Sequence, residues 1–165
     1  MLNSLHNSAA RLAEDWKRLT PAEWRLPVSE AHLGTVRLTR FLVLRLTEVA
    51  VHRADLQLGT IEWDERFVAI ALPLRIAWLP RHHRTRADAD LSIEGTWKLR
   101  AGEQSWIVEA SGSDATVRTV DGPADATITS TSLGMLSFLL GRGQDVSFEG
   151  DQRLSRGFKE AFPGP

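Results

Sequence analysis

The apolar residues of this 165-residue chain change their spacing once, from steps of three and four to alternation, and that change predicts a helical part followed by a part built on strands. In the first part, Leu5, Ala9, Leu12, Ala13, Trp16 and Leu19 mark one face of an amphipathic helix ending near Leu19. Thr20, Pro21 and Glu23 have the order of an N-cap, a first-turn proline and the acidic third position of a capping box, so a short helical turn should follow until Pro27 stops it. From Leu33 to Leu56 the chain has no proline, and no glycine after Gly34, while Val36, Phe41, Leu44 and Val51 lie on a broad stripe. This predicts one long helix of about six turns. A further helix is expected from Asp64 to about Trp78, kinked at Pro73, and PRHHRTRADAD then reads as an exposed linker.

Beyond that linker, LSIEGTWKLR and QSWIVEAS flank Ala101-Gly102-Glu103 and predict an antiparallel hairpin, with ATVRTV and DATITS as two more short strands. Ser132 to Leu140 is one apolar helix ending at Gly141, VSFEG is a last strand, and QRLSRGFKEAF is a closing amphipathic helix. The expected class is α+β: a helical domain over 1–80, a linker over 81–90, and a sheet covered on one face by two helices over 91–165.

Composition removes several functions. The formal net charge is −1, with basic residues scattered, so neither nucleic acid nor an anionic membrane is an expected partner. No apolar run approaches the ~20 residues needed to cross a bilayer, and the N-terminus lacks the pattern of a signal peptide, so a soluble cytoplasmic protein is expected. There is no cysteine, which excludes disulfides, thiolate ligands and a cysteine nucleophile. Any thiol chemistry needs a thiol from outside.

Glu48 and His52 are four residues apart, the spacing at which a helix offers two ligands to one metal ion, and Arg45 and Asp55 extend the same face. By spacing alone a helical Glu-x-x-x-His is more often a solvated pair. Arg142 closes LLGR at the end of an apolar helix, where a guanidinium can bond free carbonyls or clamp a substrate carboxylate. Asp151 reads as the N-cap of the final helix, and His82 with His83 as solvated linker residues.

The stretch RLTEVAVHRADL, with Arg45, Glu48, His52, Asp55 and Leu56, resembles the last core helix in the mycothiol-dependent maleylpyruvate isomerase family. A helix ending in a tryptophan followed by Trp24, and the segments WKLRAGEQSWIVEA, GPADATITSTSLGMLSFLLGR and FEGDQRLSRGF, are similar to the same family. The resemblance implies a partial DinB-like helical bundle, N-terminally truncated, followed by a domain related to sterol carrier proteins. It implies a divalent metal, usually zinc, held by Glu48, His52 and an earlier histidine that has no counterpart here. It also implies mycothiol as the external thiol, cis–trans isomerisation of maleylpyruvate, and a carboxylate-holding role for Arg142. A shortened bundle leaves an apolar face uncovered, so a homo-dimer is expected. The rival expectations are a non-catalytic homologue that binds a small molecule or a partner, and an enzyme of another thiol- or metal-dependent reaction.

Overall fold

The computed structural model describes residues 2–30, 34–56, 63–83, 93–143 and 145–164. These group into two compact units, 1–49 and 50–165. The expected linker at 81–90 falls largely on residues outside those described.

The first unit opens with helix α1, Leu2–Arg18, whose last turn carries Lys17 and Arg18 against the negative end of the helix dipole. The predicted capping box is present. The Glu23 carboxylate accepts from Thr20 N and Thr20 Oγ1, both at 2.7 Å, while Glu23 N donates to Thr20 Oγ1 at 3.3 Å. These bonds to Thr20 hold the Glu23 carboxyl below its ordinary pKa. The turn so begun is a 3-10 helix, Glu23–Arg25, with Trp24 tilted against Trp16 at 6.4 Å between ring centroids.

The helix expected from Leu33 begins later than the sequence suggests. Pro27–Glu30 (β1) and Gly34–Arg37 (β2) form an antiparallel hairpin in which Val28 faces Val36. Thr35 and Val36 are β-branched and suit an extended pair better than a first helical turn, and Gly34 takes φ +68°, which ends any run of helix there. Helix α2 therefore spans Leu38–Asp55, starting where the β-branched pair ends.

The second unit contains the last residues of α2, then α3 (Glu65–Ala77) and the single turn α4 (Leu79–His82). Asp64, where the helix is expected to begin, caps α3, its Oδ1 accepting from Arg66 N at 2.8 Å and Phe67 N at 3.4 Å. Pro73 gives no N–H to the Ala69 carbonyl, yet α3 runs through it as one element. Val68, Ala71, Leu72, Arg75 and Ile76 form its buried stripe, and the helix packs on the later helix Ser132–Leu139.

Among the described residues the larger sheet is five-stranded: β3 (Gly95–Ala101), β4 (Gln104–Ser111), β5 (Asp114–Arg118), β6 (Ala126–Ser130) and β7 (Ser147–Gly150), in the order β5-β4-β3-β6-β7. Only the central β3–β6 pair is parallel; the other three are antiparallel. In register, Trp97 faces Val108 and Ala126, and Leu99 faces Trp106 and Ile128, so the middle of this sheet face is apolar. Helices α5 (Ser132–Leu139) and α6 (Gln152–Ala161) supply its cover. Trp97 is the centre of that core. Its ring meets Phe158 and Phe162 edge-on at 5.9 and 5.6 Å, and its Nε1 donates to Leu154 O at 2.9 Å, so the one polar atom is partnered. At the β7–α6 turn, Gly150 has φ +89° and lies so close to Asp125 O that a Cβ would strike it. Asp151 then caps α6 as expected, through Arg153 N and Leu154 N.

The α+β class expected from the sequence is the class of the structure. His83, expected as a solvated linker residue, is instead half-buried: its Nε2 lies 3.0 Å from Gly112 O and its ring 5.3 Å from that of Phe162. A hydrogen bond on one ring nitrogen and a ring contact on the apolar face together offset the partial loss of water around this imidazole. Among the described residues, no helix is long and apolar enough to cross a membrane.

Candidate functional site

Helix α2 places Arg45, Glu48, His52 and Asp55 at successive three- and four-residue steps, hence on one face, and Glu48 and His52 are both exposed. His52 Nδ1 lies 3.6 Å from Asp55 Oδ2. Among the described residues there is no group of three His, Cys, Asp or Glu side chains arranged to hold a metal ion.

Asp55 is gripped from the other side by Arg142. Arg142 Nε donates to Asp55 Oδ1 at 2.7 Å and Nη2 to Oδ2 at 2.9 Å, a fork-to-fork pair. This contact is the main cause of the low pKa of the Asp55 carboxyl. The third nitrogen, Nη1, donates to Leu140 O at 2.7 Å. Both sequence readings of Arg142 thus have a counterpart: it caps the carbonyls at the end of α5 and it clamps a carboxylate, one that belongs to the chain itself. Gly141, with φ +73°, makes the turn that brings Arg142 back over the helix end.

Two further cations converge there, and neither was among the predicted site residues. Arg75 of α3, only 8% exposed, donates through Nη2 to Leu139 O at 3.4 Å and Pro163 O at 3.2 Å. Lys159 of α6 donates from Nζ to Phe138 O at 3.0 Å and Leu139 O at 3.3 Å, and stands 5.3 Å from the Phe138 ring centre. The last carbonyls of α5, at Phe138, Leu139 and Leu140, are all bonded to cationic side chains. Such carbonyls carry the negative end of the helix dipole, which suits positive charge. Crowding and burial still tell: the Lys159 ammonium is pushed down to about 8, by desolvation first and then by the charges of Arg75 and Arg142. Burial also lowers the pKa of Arg75. A signal for Arg75 was present in the sequence, as a lone arginine inside the apolar run FVAIALPLRIAWL. Lys159 had none, since a lysine on an amphipathic helix is ordinarily a solvated residue.

Beside this cluster lies a cavity of about 550 Å³. Phe138, Val146 and Phe148 form its apolar walls, and Arg142 and Lys159 its polar end.

The sequence profile of the mycothiol maleylpyruvate isomerase N-terminal domain matches residues 1–57, which include Glu48, His52 and Asp55. Over that segment, about a third of the chain, the sequence is similar to the N-terminal domain of the mycothiol-dependent maleylpyruvate isomerase family. The crystal structure of a mycothiol-dependent maleylpyruvate isomerase is similar over 87% of this chain and 54% of that one, with a TM-score of 0.54 and 21% identity, a likeness of fold. The chain therefore spans about half the length of that enzyme. Sterol carrier protein 2 like 2 from Aedes aegypti is similar over 60% of this chain and 100% of its own, with a TM-score of 0.42 and 19% identity. A stereoselective inverting sec-alkylsulfatase from Pseudomonas sp. is similar over 51% of this chain and 15% of its own, with a TM-score of 0.41 and 15% identity. No curated protein matches the chain in sequence.

Proposed function

We propose that the chain acts in the cis–trans isomerisation of maleylpyruvate, or a related thiol-dependent reaction, at a divalent metal and with mycothiol as the external thiol. The observation that supports this reading is the family match over residues 1–57, which covers the helix bearing Glu48 and His52. A carboxylate oxygen and an imidazole nitrogen one turn apart suit zinc by donor chemistry, and these two residues would hold the ion. They supply two of the three protein ligands that a catalytic zinc ordinarily has, and among the described residues no third completes the group. A third from a second copy of the chain would complete it, which is one reason to propose a homo-dimer. When bound, the ion would lower the pKa of a thiol so that a thiolate exists at neutral pH.

The roles of the chain's own residues follow from their contacts. Asp55, 3.6 Å from His52 Nδ1, would keep the imidazole turned so that Nε2 faces the ion. Arg142, catalytic in this reading, would exchange Asp55 for a substrate carboxylate, since the same fork matches either partner. The second reading, a non-catalytic homologue that binds a small molecule, is favoured by the fork's being occupied by Asp55.

Metal analysis of protein purified without chelator, beside Glu48→Ala and His52→Ala, tests the metal reading. About one equivalent of zinc in the parent and little in either variant is expected. Equal metal in all three would overturn the ligand assignment, and loaded protein inert toward maleylpyruvate with mycothiol present would leave the binding reading in its place.

A further inference from the structure

The cavity at the end of α5 carries an inference that does not depend on the isomerase reading. Among the described residues its lining contains two cations and no carboxylate. Arg142 has Nε and Nη2 on Asp55 and Nη1 on Leu140 O, so its fork is already engaged. Lys159 is differently placed. Two of its three N–H groups go to Phe138 O and Leu139 O, leaving one directed elsewhere on a group that lines the cavity. One donor on a desolvated ammonium suits a single negatively charged oxygen and not a phosphate, which asks for several donors.

The rest of the lining selects the body of the ligand. Phe138 and Phe148 meet edge-on at 6.1 Å, and Phe138 is backed by Phe158 in a stacked pair at 5.8 Å, so this wall is aromatic. Val146 adds an aliphatic contact. Gly141 and Gly143 bring no side chain into the space, and the turn cannot easily carry one: Gly141 needs φ +73°, and a Cβ on Gly143 would come within 3.0 Å of Ser137. A volume of about 550 Å³ lies within the ordinary range of small-molecule sites, roughly 300–1,000 Å³.

We propose that this cavity binds a small monocarboxylate with a flat apolar body, its carboxylate on Lys159 Nζ and its body against Phe138 and Phe148. The pairing also relieves the cation cluster: a carboxylate on Lys159 supplies the counter-charge that, for Arg142, Asp55 already provides. Binding should then depend on pH with a definite sign. The ammonium loses its proton around pH 8, so affinity falls as pH rises through that value, and binding at pH 8 draws a proton from solvent.

Calorimetric titration of the full chain with 2-naphthoate, beside the neutral 2-naphthylmethanol, tests the assignment. At about pH 7 the acid is expected to bind at one site at least about tenfold more tightly than the alcohol, one charge-assisted hydrogen bond being worth about that factor. Lys159→Met should lower the affinity for the acid about tenfold and leave that for the alcohol unchanged. Lys159→Arg should restore binding of the acid and remove its loss between about pH 7 and about pH 9, because a guanidinium stays charged there. Phe148→Ala should weaken both ligands. Equal affinity for acid and alcohol, equal binding of the acid by the parent and a folded Lys159→Met, or no saturable binding would each overturn the proposal; Lys159→Arg decides the matter should the methionine variant fail to fold.

Discussion

Residues 1–49 and 50–165 have similar raw material and very different interiors. In the first unit, Val36 is the one hydrophobic residue that is buried among those described, while Leu12, Leu26, Phe41, Leu46 and Val49 are all exposed. In the second, Trp97, Leu99, Val108, Ile128, Met135, Leu136, Phe158 and Phe162 are closed off from solvent. The difference lies in the geometry of the elements. A sheet presents one continuous apolar face that two helices can cover, whereas two helices and a two-stranded hairpin leave apolar stripes open. A broad stripe on a helix shows that something must cover it; it does not show that the covering element is at hand.

Paired truncations give the largest test of this contrast. Phe158→Ala should cost about 3–5 kcal/mol, since a fully buried ring is removed from between Trp97, Phe138 and Phe162. Leu46→Ala, at a residue 46% exposed, should stay within about 0.5 kcal/mol in dilute urea unfolding. The same pair repeated over a range of protein concentrations sharpens the comparison. Under the proposed homo-dimer, Leu46→Ala becomes costly only when the chain is concentrated enough to associate, and sedimentation velocity should show two species. Equal costs at all concentrations would erase the contrast between the units.

Helix capping gives a smaller effect. Asp151→Ala removes the acceptor for Arg153 N and Leu154 N at the start of α6, and should cost about 1 kcal/mol, read as a lower urea midpoint with unchanged slope. Thr20→Ala removes the two bonds of Thr20 Oγ1 with Glu23 and leaves the one donated by Thr20 N, in a short exposed turn, so its cost should be smaller. A larger loss at Thr20 than at Asp151 would show that the first unit is held more tightly than its exposure implies.

What the sequence made legible follows the same division. The alternating segments of the second unit could be placed because period two over five strands has few competing readings, and Asp151 and Gly141 carry conformational requirements that residue type alone reveals. The β1–β2 hairpin was hidden because Gly34-Thr35-Val36-Arg37 runs without interruption into a helical pattern, and four residues are too few to show a period. Glu48, His52 and Arg142 were visible as residue types at known spacings. The bond between Arg142 and Asp55 was not, since 87 residues separate them and only the tertiary fold brings them together. Lys159 was illegible for a related reason: its environment comes from the carbonyls at the end of α5 and from Arg75, and α6 alone contains no sign of either.

The Asp55–Arg142 pair offers the finest test, because it belongs to the second unit yet is partly exposed, at 41% and 22% of side-chain surface. Arg142 holds the folded-state pKa of Asp55 below its ordinary value of 3.8. The folded carboxyl therefore resists protonation more than the unfolded one, and the contribution of the pair is complete above the unfolded value and lost as pH falls through the folded one. The difference in thermal stability between the parent and Asp55→Asn should be constant above about pH 5 and shrink below about pH 4. It should also diminish in high salt, as a partly exposed ion pair requires. A difference unchanged by both acid and salt would mean that Asp55 acts through packing or backbone geometry, and that the fork seen with Arg142 adds nothing to the stability of the second unit.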